Sequence, residues 1–154
     1  MPRNVYSEIN LHIVWHTKNN APVLTDHIEA RLQQHIEHAV LQTESCVFHG
    51  IGGTDDHVHL VDSVPPTLLI SEWIGRLKGA GAHYINNEIA NCKLLEWQTG
   101  YGVVTFGTRD VQWVLSYVRN QRPHHASGTT HRRLERIECD EMAEAEPGKH
   151  AKAR

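Results

Sequence analysis

The stretch that decides the fold is CVFHGIGGTDDHVHLVDSV, at residues 46–64. Two runs rich in apolar and β-branched side chains, 46–52 and 57–64, have the composition of β-strands. Between them, GGTDD at 52–56 contains the glycine and aspartate pairs that favour a turn. The stretch therefore predicts a β-hairpin, in which the second and third strands of the chain pair with each other.

Further strands and helices flank this hairpin. On its N-terminal side, 5–17 predicts a first strand, and a helix beginning at Thr25 or Asp26 follows it. That helix carries apolar residues at helical spacing: Ile28, Leu32, Ile36, Ala39 and Val40. On the C-terminal side, apolar spacing between Ile70 and Ile85 predicts a second helix, and 101–108 predicts a fourth strand. A third helix begins at Asp110, with Val111, Val114, Leu115 and Val118 as its apolar stripe.

The resulting order is β-α-β-β-α-β followed by a helix, which predicts an α+β fold of the ferredoxin-like type. In this fold an antiparallel sheet is covered by helices on one face, and here a C-terminal helix carries Tyr117. A chain of 154 residues suits one hydrophobic core, so we expect a single domain over 1–137. Large apolar side chains become rare beyond it, and we expect a mobile tail at 138–154.

The composition favours a cytoplasmic protein. Hydrophobic residues make up 40% and charged residues 21% of the chain, as in globular proteins. No apolar run approaches the roughly 20 residues that span a bilayer, and the first residues do not resemble a secretory signal. The three cysteines (Cys46, Cys92 and Cys139) are too few and too scattered for a disulfide framework.

The net charge argues against a broad nucleic-acid-binding surface. Fifteen basic and eighteen acidic residues give a formal net charge of −3, whereas sequence-independent DNA affinity comes mainly from Lys and Arg. Basic residues are concentrated locally after residue 118, where Glu135 is the only acid before residue 137. That run contains Arg119, Arg122, Arg132, Arg133 and Arg136. A solvated surface explains such a run equally well.

His57-Val58-His59 places two imidazoles on one face of the third strand, because residues at i and i+2 point the same way. Neutral imidazole is a good ligand for divalent transition metals. Two protein ligands leave positions open for water and substrate oxygens, as Lewis-acid catalysis requires. Thirteen histidines are present, however, and a hydrogen-bonded or surface pair is the more common meaning of this pattern.

Tyr117 and Gln121 are separated by one helical turn, so they are neighbours on the third helix. They lie off the apolar stripe, and we expect this face of the helix not to be needed for the core. The tyrosine offers a nucleophile for covalent catalysis, and the amide offers a further oxygen ligand to a metal. Its ordinary role would instead be that of a half-buried packing residue.

Several segments together resemble one family. DHVHLV at 56–61 and YVRNQRPHH at 117–125 are the most specific, with weaker matches at 11–24, 76–86 and 97–103. In this order they resemble the single-tyrosine HUH transposases of bacterial insertion sequences and their relatives, the REP-associated tyrosine transposases.

The resemblance implies a role for each matching residue. His57, His59 and Gln121 would bind Mg²⁺ or Mn²⁺. Tyr117 would form a 5′-phosphotyrosine and release a 3′-hydroxyl. The substrate would be single-stranded DNA with hairpins, and the enzyme would be a homodimer. Basic residues that would contact DNA phosphates are Arg76, Lys78, Arg119, Arg122, Arg132 and Arg133.

Two alternatives remain open. The first is a REP-associated or domesticated relative that binds hairpin DNA without transposing autonomously. The second is a small metal hydrolase built on His57 and His59, for which the sequence offers no carboxylate or thiolate at an obvious spacing to complete a zinc shell.

Overall fold

The computed structural model describes residues 5–137 and has the α+β architecture that the sequence predicts. Four strands form one sheet in the order β2-β3-β1-β4, and all neighbouring pairs are antiparallel. This is the order expected for a ferredoxin-like fold. The strands are β1 (Asn10–His16), β2 (Val47–Gly53), β3 (His57–Ser63) and β4 (Gly102–Phe106).

Five α-helices connect and follow these strands in the described part of the chain. They are α1 (Asp26–Leu41), α2 (Ile70–Tyr84), α3 (Val111–Arg119), α4 (Gln121–Ser127) and α5 (Arg132–Glu135). A π-helical turn at Ile85–Ile89 extends α2. None of the helices within 5–137 is long and apolar enough to cross a membrane. The tail predicted at 138–154, which includes Cys139, lies outside the described residues.

One face of the sheet is covered by α1 and α2, as predicted. Alternate residues of β1, namely Leu11, Ile13 and Trp15, are essentially inaccessible to solvent on this face. Val58 and Leu60 of β3 join them, together with the apolar stripe of α1: Ile28, Leu32, Ile36 and Val40. Burial of these side chains is the main favourable contribution to folding.

The opposite face of the sheet is covered by α3, which forms a second, smaller core with Val61, Val114, Leu115, Val118 and Leu134. Tyr117 belongs to this core and is only 4% exposed. The prediction that its side of the helix is not needed for the core is therefore wrong. The face of α3 that packs on the sheet is wider than the predicted apolar stripe and includes the ring of Tyr117.

Two glycines allow backbone to approach the sheet closely on this second face. A Cβ atom at Gly52 of β2 would collide with the carbonyl oxygen of Val118 in α3. A Cβ atom at Gly102 of β4 would collide with the carbonyl oxygen of Arg136, directly after α5. The missing side chains thus allow both α3 and the segment after α5 to lie against the strands.

Candidate active site

His57 and His59 lie on the face of β3 that α3, α4 and α5 cover. Their side chains are 2% and 0% exposed, and their Cα atoms lie opposite those of His16 and Val14 in β1. The strand alternation that the sequence predicts therefore holds. It turns both imidazoles toward one buried point between the sheet and the C-terminal helices.

The ring of His57 is oriented by the turn that precedes it. Its Nδ1 lies 2.6 Å from Asp56 Oδ1 and 2.8 Å from Thr54 Oγ1, so Nε2 faces the site. Burial lowers the pKa of His57, but the hydrogen bonds to Asp56 and Gln121 and the nearby carboxylates of Glu135 and Asp56 together outweigh it, and the pKa is raised overall. A carboxylate on the far nitrogen is the usual way to fix the orientation of a metal-binding imidazole.

His59 is held from behind by another histidine. Its Nδ1 lies 2.7 Å from Nε2 of His12, whose side chain is also fully buried. Burial lowers the pKa of His59 to about 4 and that of His12 to about 3, so both rings are neutral at pH 7. Nε2 of His59 is buried and makes no well-aligned hydrogen bond to any described residue. In the tautomer that donates Nδ1–H to His12, this nitrogen has a lone pair that faces the site.

Gln121 reaches the same point from a different helix than expected. The chain leaves helical geometry at Asn120 (φ −105°, ψ 32°), so α3, which carries Tyr117, ends at Arg119 and Gln121 begins α4. The amide still faces inward: its Oε1 lies 3.2 Å from His57 Nε2, and its Nε2 donates to the Tyr117 carbonyl at 3.2 Å. The tyrosine helix thus reaches the sheet of its own chain.

Glu135, on the short helix α5, completes the cluster. Its Oε2 lies 3.3 Å from His59 Nε2 and 3.8 Å from His57 Nε2, and its Oε1 lies 3.5 Å from His125 Nε2. Burial raises the pKa of this carboxyl, but the adjacent His59 ring, the hydrogen bond from Tyr117 and the other nearby imidazoles outweigh it, and the pKa falls to about 2. A carboxylate is thus present at neutral pH among several imidazole rings.

The hydroxyl of Tyr117 is fixed by two partners. It donates to Glu135 Oε1 at 2.5 Å and accepts from the backbone N–H of His131 at 2.8 Å. Burial and the hydrogen bond to Glu135 raise the pKa of Tyr117 to about 12. The phenol is therefore protonated at neutral pH. The Tyr117 hydroxyl and the His59 ring both contact the Glu135 carboxylate.

Aromatic rings surround the phenol. The ring of His124 stacks on Tyr117 with centroids 4.8 Å apart, and Trp113 stacks one turn earlier at 6.0 Å. Trp113 is 53% exposed. An indole face accessible to solvent thus lies beside the buried phenol ring.

Together these residues could hold a metal ion. Ligand atoms of His57, His59, His125 and Glu135 all lie within 4.8 Å of one another. Imidazole nitrogen and carboxylate oxygen are both common ligands of divalent cations, and the amide oxygen of Gln121 lies beside them. Nε2 of His59 faces this cluster and makes no hydrogen bond to any residue that the structure describes.

Comparisons with known proteins agree with this arrangement. The family model for "Transposase IS200 like" matches residues 5–121, which is most of the chain. The chain belongs to the IS200-like transposase family. Within it, the match covers His57, His59, Tyr117 and Gln121 and ends before Glu135. The suspected relationship to single-tyrosine transposases is thus confirmed.

Solved structures of transposases share the fold. A protein assigned as a transposase of Deinococcus radiodurans R1 is 22% identical and superposes with a TM-score of 0.62, covering 79% of this chain and 96% of its own. A REP-associated tyrosine transposase bound to a REP hairpin is 15% identical, with a TM-score of 0.54 and coverage of 84% and 75%. No functionally curated protein matches the chain. These similarities confirm the fold.

The basic residues proposed to contact DNA are scattered over the transposase, and several have protein partners. Lys78 donates to the carbonyls of Gln98 and Gly100, at 2.9 and 2.8 Å, and so supports the loop before β4. Arg122 forms ion pairs with Asp26 and Glu29 of α1, Arg76 pairs with Glu72, and Arg133 donates to the Thr105 carbonyl. Arg119 and Arg132 are exposed.

Sequence reasoning missed Glu135, His125, His12 and the supporting role of Asp56. Asp56 carries a signal, since it directly precedes His57, but local pattern indicates only its role in the turn. Glu135 stood out as the single acid in an arginine-rich run. No spacing rule connects it to His57, because the two residues are 78 positions apart and meet only when α5 packs on the sheet.

Proposed function

We propose that this IS200-like transposase cuts and rejoins single-stranded DNA by covalent catalysis through Tyr117, with Mg²⁺ or Mn²⁺ as cofactor. The observation that carries the proposal is the shared carboxylate. Glu135 Oε1 accepts a hydrogen bond from the Tyr117 hydroxyl, and Glu135 Oε2 lies 3.3 Å from His59 Nε2. A nucleophile and a set of metal-binding side chains therefore adjoin each other in one buried site.

In the proposed reaction, the Tyr117 oxygen attacks a backbone phosphorus atom and the bond from phosphorus to the 3′ oxygen breaks. The phenol loses one proton, the departing 3′ oxygen gains one, and a 5′-phosphotyrosine and a free 3′-hydroxyl result. Attack by a 3′-hydroxyl on the phosphotyrosine reverses these changes and joins two strands. The phosphodiester bond is conserved as the tyrosyl ester, so no external energy source is needed.

His57, His59 and Gln121 are the proposed metal ligands, since their Nε2 and Oε1 atoms converge and each is held by a protein partner. A bound divalent ion would polarise the phosphate and stabilise the charge that develops on it. The protein contributes a neutral ring at His59 for this purpose, because burial keeps that imidazole unprotonated. Because the pKa of Tyr117 is raised, the phenol is not ionised in the ground state. Polarisation of the phosphate is therefore important for the attack.

The proposed substrate is single-stranded or hairpin DNA. Trp113 presents an exposed face beside Tyr117, and aromatic faces bind unpaired bases at about 1–3 kcal/mol per base. The exposed Arg119 lies on α3 with Tyr117, and the exposed Arg132 begins α5; both are candidate phosphate contacts. A related transposase of similar fold was solved with a REP hairpin. We further propose that the enzyme works as a cytoplasmic homodimer.

Incubation of the protein with labelled single-stranded hairpins and Mn²⁺ tests the proposal. A covalent protein–DNA product should appear on denaturing gels, with a new 3′-hydroxyl on the released strand. Tyr117→Phe should bind the hairpins as tightly as the unaltered protein but form no covalent product. Tyr84→Phe, on α2 and distant from the site, is the matched control and should behave like the unaltered protein.

Strand cleavage by Tyr117→Phe at the unaltered rate would rule out the covalent mechanism. Hairpin repeats flanking the gene on both sides would indicate an autonomous insertion sequence. Dispersed hairpins elsewhere in the genome would instead favour the REP-associated alternative.

The small metal hydrolase gains one supporting observation, because Glu135 provides the carboxylate that the sequence did not offer. Two histidines and a glutamate are the ligands of several zinc hydrolases. That alternative predicts tightly held, stoichiometric zinc and hydrolysis without a tyrosyl adduct. Metal analysis of the purified protein together with the adduct assay separates the two functions.

A further inference from the structure

We infer that Glu135 is a ligand of the divalent metal, so that α5 supplies a carboxylate to a site otherwise built from His57, His59 and Gln121. The inference rests on the proposed metal site but concerns a residue outside the stretch that defines the family, which ends at residue 121. It assigns the metal an anionic protein ligand, which the histidines and the amide do not provide.

The distances around Glu135 are those of neighbouring ligands in one coordination shell. Adjacent ligands of an octahedral ion bound at 2.0–2.2 Å are separated by about 3 Å. Glu135 Oε2 lies 3.3 Å from His59 Nε2, and Gln121 Oε1 lies 3.2 Å from His57 Nε2. His125 Nε2, 3.5 Å from Glu135 and 3.2 Å from Gln121, occupies the outer side of the same cluster.

Direct hydrogen bonding accounts for only part of this geometry. His57 Nε2 lies 3.8 Å from Glu135 Oε2, beyond hydrogen-bond distance, although both atoms face the same point. His59 Nε2 has no well-aligned hydrogen bond, even to the carboxylate beside it. Atoms that converge without bonding one another well are expected where a cation completes the contacts.

The carboxylate is also held in place by its own helix. Leu134, its neighbour in α5, is 2% exposed in the core beneath α3, and Arg133 donates to the Thr105 carbonyl of β4. Gly102 lets the chain just after α5 lie against β4. Several contacts therefore fix Glu135, and its second oxygen simultaneously holds the Tyr117 hydroxyl. Metal binding through Oε2 would thus position the nucleophile as well.

Calorimetric titration of the full-length, metal-stripped protein with Mn²⁺ tests this assignment without DNA or turnover. Glu135→Gln should weaken Mn²⁺ binding about 10-fold or more, because the charge and number of ligands tune such sites. Glu135→Asp keeps the charge and should recover part of the affinity. Glu72→Gln, which removes an exposed carboxylate 3.6 Å from Arg76 on α2, should leave the affinity unchanged.

Equal or tighter Mn²⁺ binding by Glu135→Gln would overturn the assignment, since Glu135 would then only neutralise the imidazoles. Thermal unfolding in EDTA identifies any variant that binds poorly because it is unfolded, and Glu135→Asp then serves as the second measurement. The adduct assay on unaltered protein remains separate. Absence of an adduct with Mn²⁺ affinity intact would count against the proposed function, but not against the ligand assignment.

Discussion

The two faces of the sheet are built from the same strands but serve different ends. On β3, Val58 and Leu60 point toward α1 and α2 into an apolar core, whereas His57 and His59 point toward the C-terminal helices. On β1, Leu11, Ile13 and Trp15 alternate with His12 and His16 in the same way. One face contributes mainly stability, and the other holds polar groups at fixed distances.

The difference shows how a small protein can bury a reactive cluster. Burying imidazole rings costs free energy unless their nitrogens find partners. Here His57 is paired with Asp56 and His59 with His12, so the second face can be buried without a large apolar core. The larger apolar core on the first face provides most of the favourable free energy of burial.

The largest effect is expected at His59, on the polar face of β3. His59→Ala removes a proposed ligand and should lower adduct formation on the order of 10³-fold, equivalent to roughly 4 kcal/mol of transition-state stabilisation. Adduct yield per unit time on a labelled hairpin, with folding checked by circular dichroism, measures this. If the folded variant retained full activity, the polar face would not be the reactive one.

Leu60, the next residue along the strand, should show the opposite pattern. Leu60→Ala removes a fully buried side chain from the apolar face and should cost about 2–5 kcal/mol of unfolding free energy. Adduct formation by the folded fraction should persist. Chemical denaturation and the adduct assay on the same preparation test both halves, and a loss of activity without a loss of stability would contradict the division between the faces.

Asp62 is the exception on the apolar face, and it makes the comparison testable by pH. It follows Val58 and Leu60 in the alternation, is fully buried, and has no hydrogen-bond partner for either oxygen among the described residues. Burial raises its pKa from 3.8 to about 8. The folded state therefore retains a proton that the unfolded chain loses above pH 4.

Because the folded pKa is the higher one, Asp62 makes stability fall as pH rises from about 4 to 8. Asp62→Asn should be more stable than the unaltered protein by several kcal/mol at pH 8, and nearly equal to it at pH 4. Urea unfolding of both proteins across this range measures the difference. A difference that does not change with pH would show that Asp62 is not a buried neutral acid.

A smaller effect is expected where α3 meets the sheet. Gly52→Ala would force the new methyl group against the Val118 backbone and should cost about 1–3 kcal/mol. It should also slow adduct formation, since α3 carries Tyr117. Gly79→Ala is the matched control: it lies in α2 with open space around it and should stabilise the protein by about 0.5–1 kcal/mol. If the two variants had equal stability and activity, α3 would not be packed closely against β2 at Gly52.

Much of the fold follows from local pattern. The hairpin at 46–64, the helices beginning at Asp26 and Ile70, and the strand before α3 are each specified by apolar periodicity and by turn residues. The shared face of His57 and His59 follows from strand alternation alone. The ends of elements are less well defined, and β1 begins at Asn10 rather than at residue 5, because its pairing with β3 and β4 starts at Asn10.

The surroundings of the tyrosine were harder to predict. Helical spacing places Tyr117 and Gln121 on one face of one helix. In the structure the helix is interrupted at Asn120, and both side chains are buried. Whether that face is exposed depends on the sheet against which α3 packs. The spacing of apolar residues within α3 does not indicate how much of the helix surface the sheet covers.

By itself, the sequence determined the order of the four strands and of helices α1 to α3, the shared face of His57 and His59, and the residues by which the chain resembles its family. These features depend on neighbours a few positions apart. It did not predict that α4 and α5 follow as separate helices. Only the tertiary structure decided that α3 covers the second face of the sheet and that Asp56 and His12 orient the two imidazoles. It also brought Glu135 between His59 and Tyr117. These contacts join residues far apart in the chain, and they form only when the burial of apolar surface brings α3 and α5 onto the sheet.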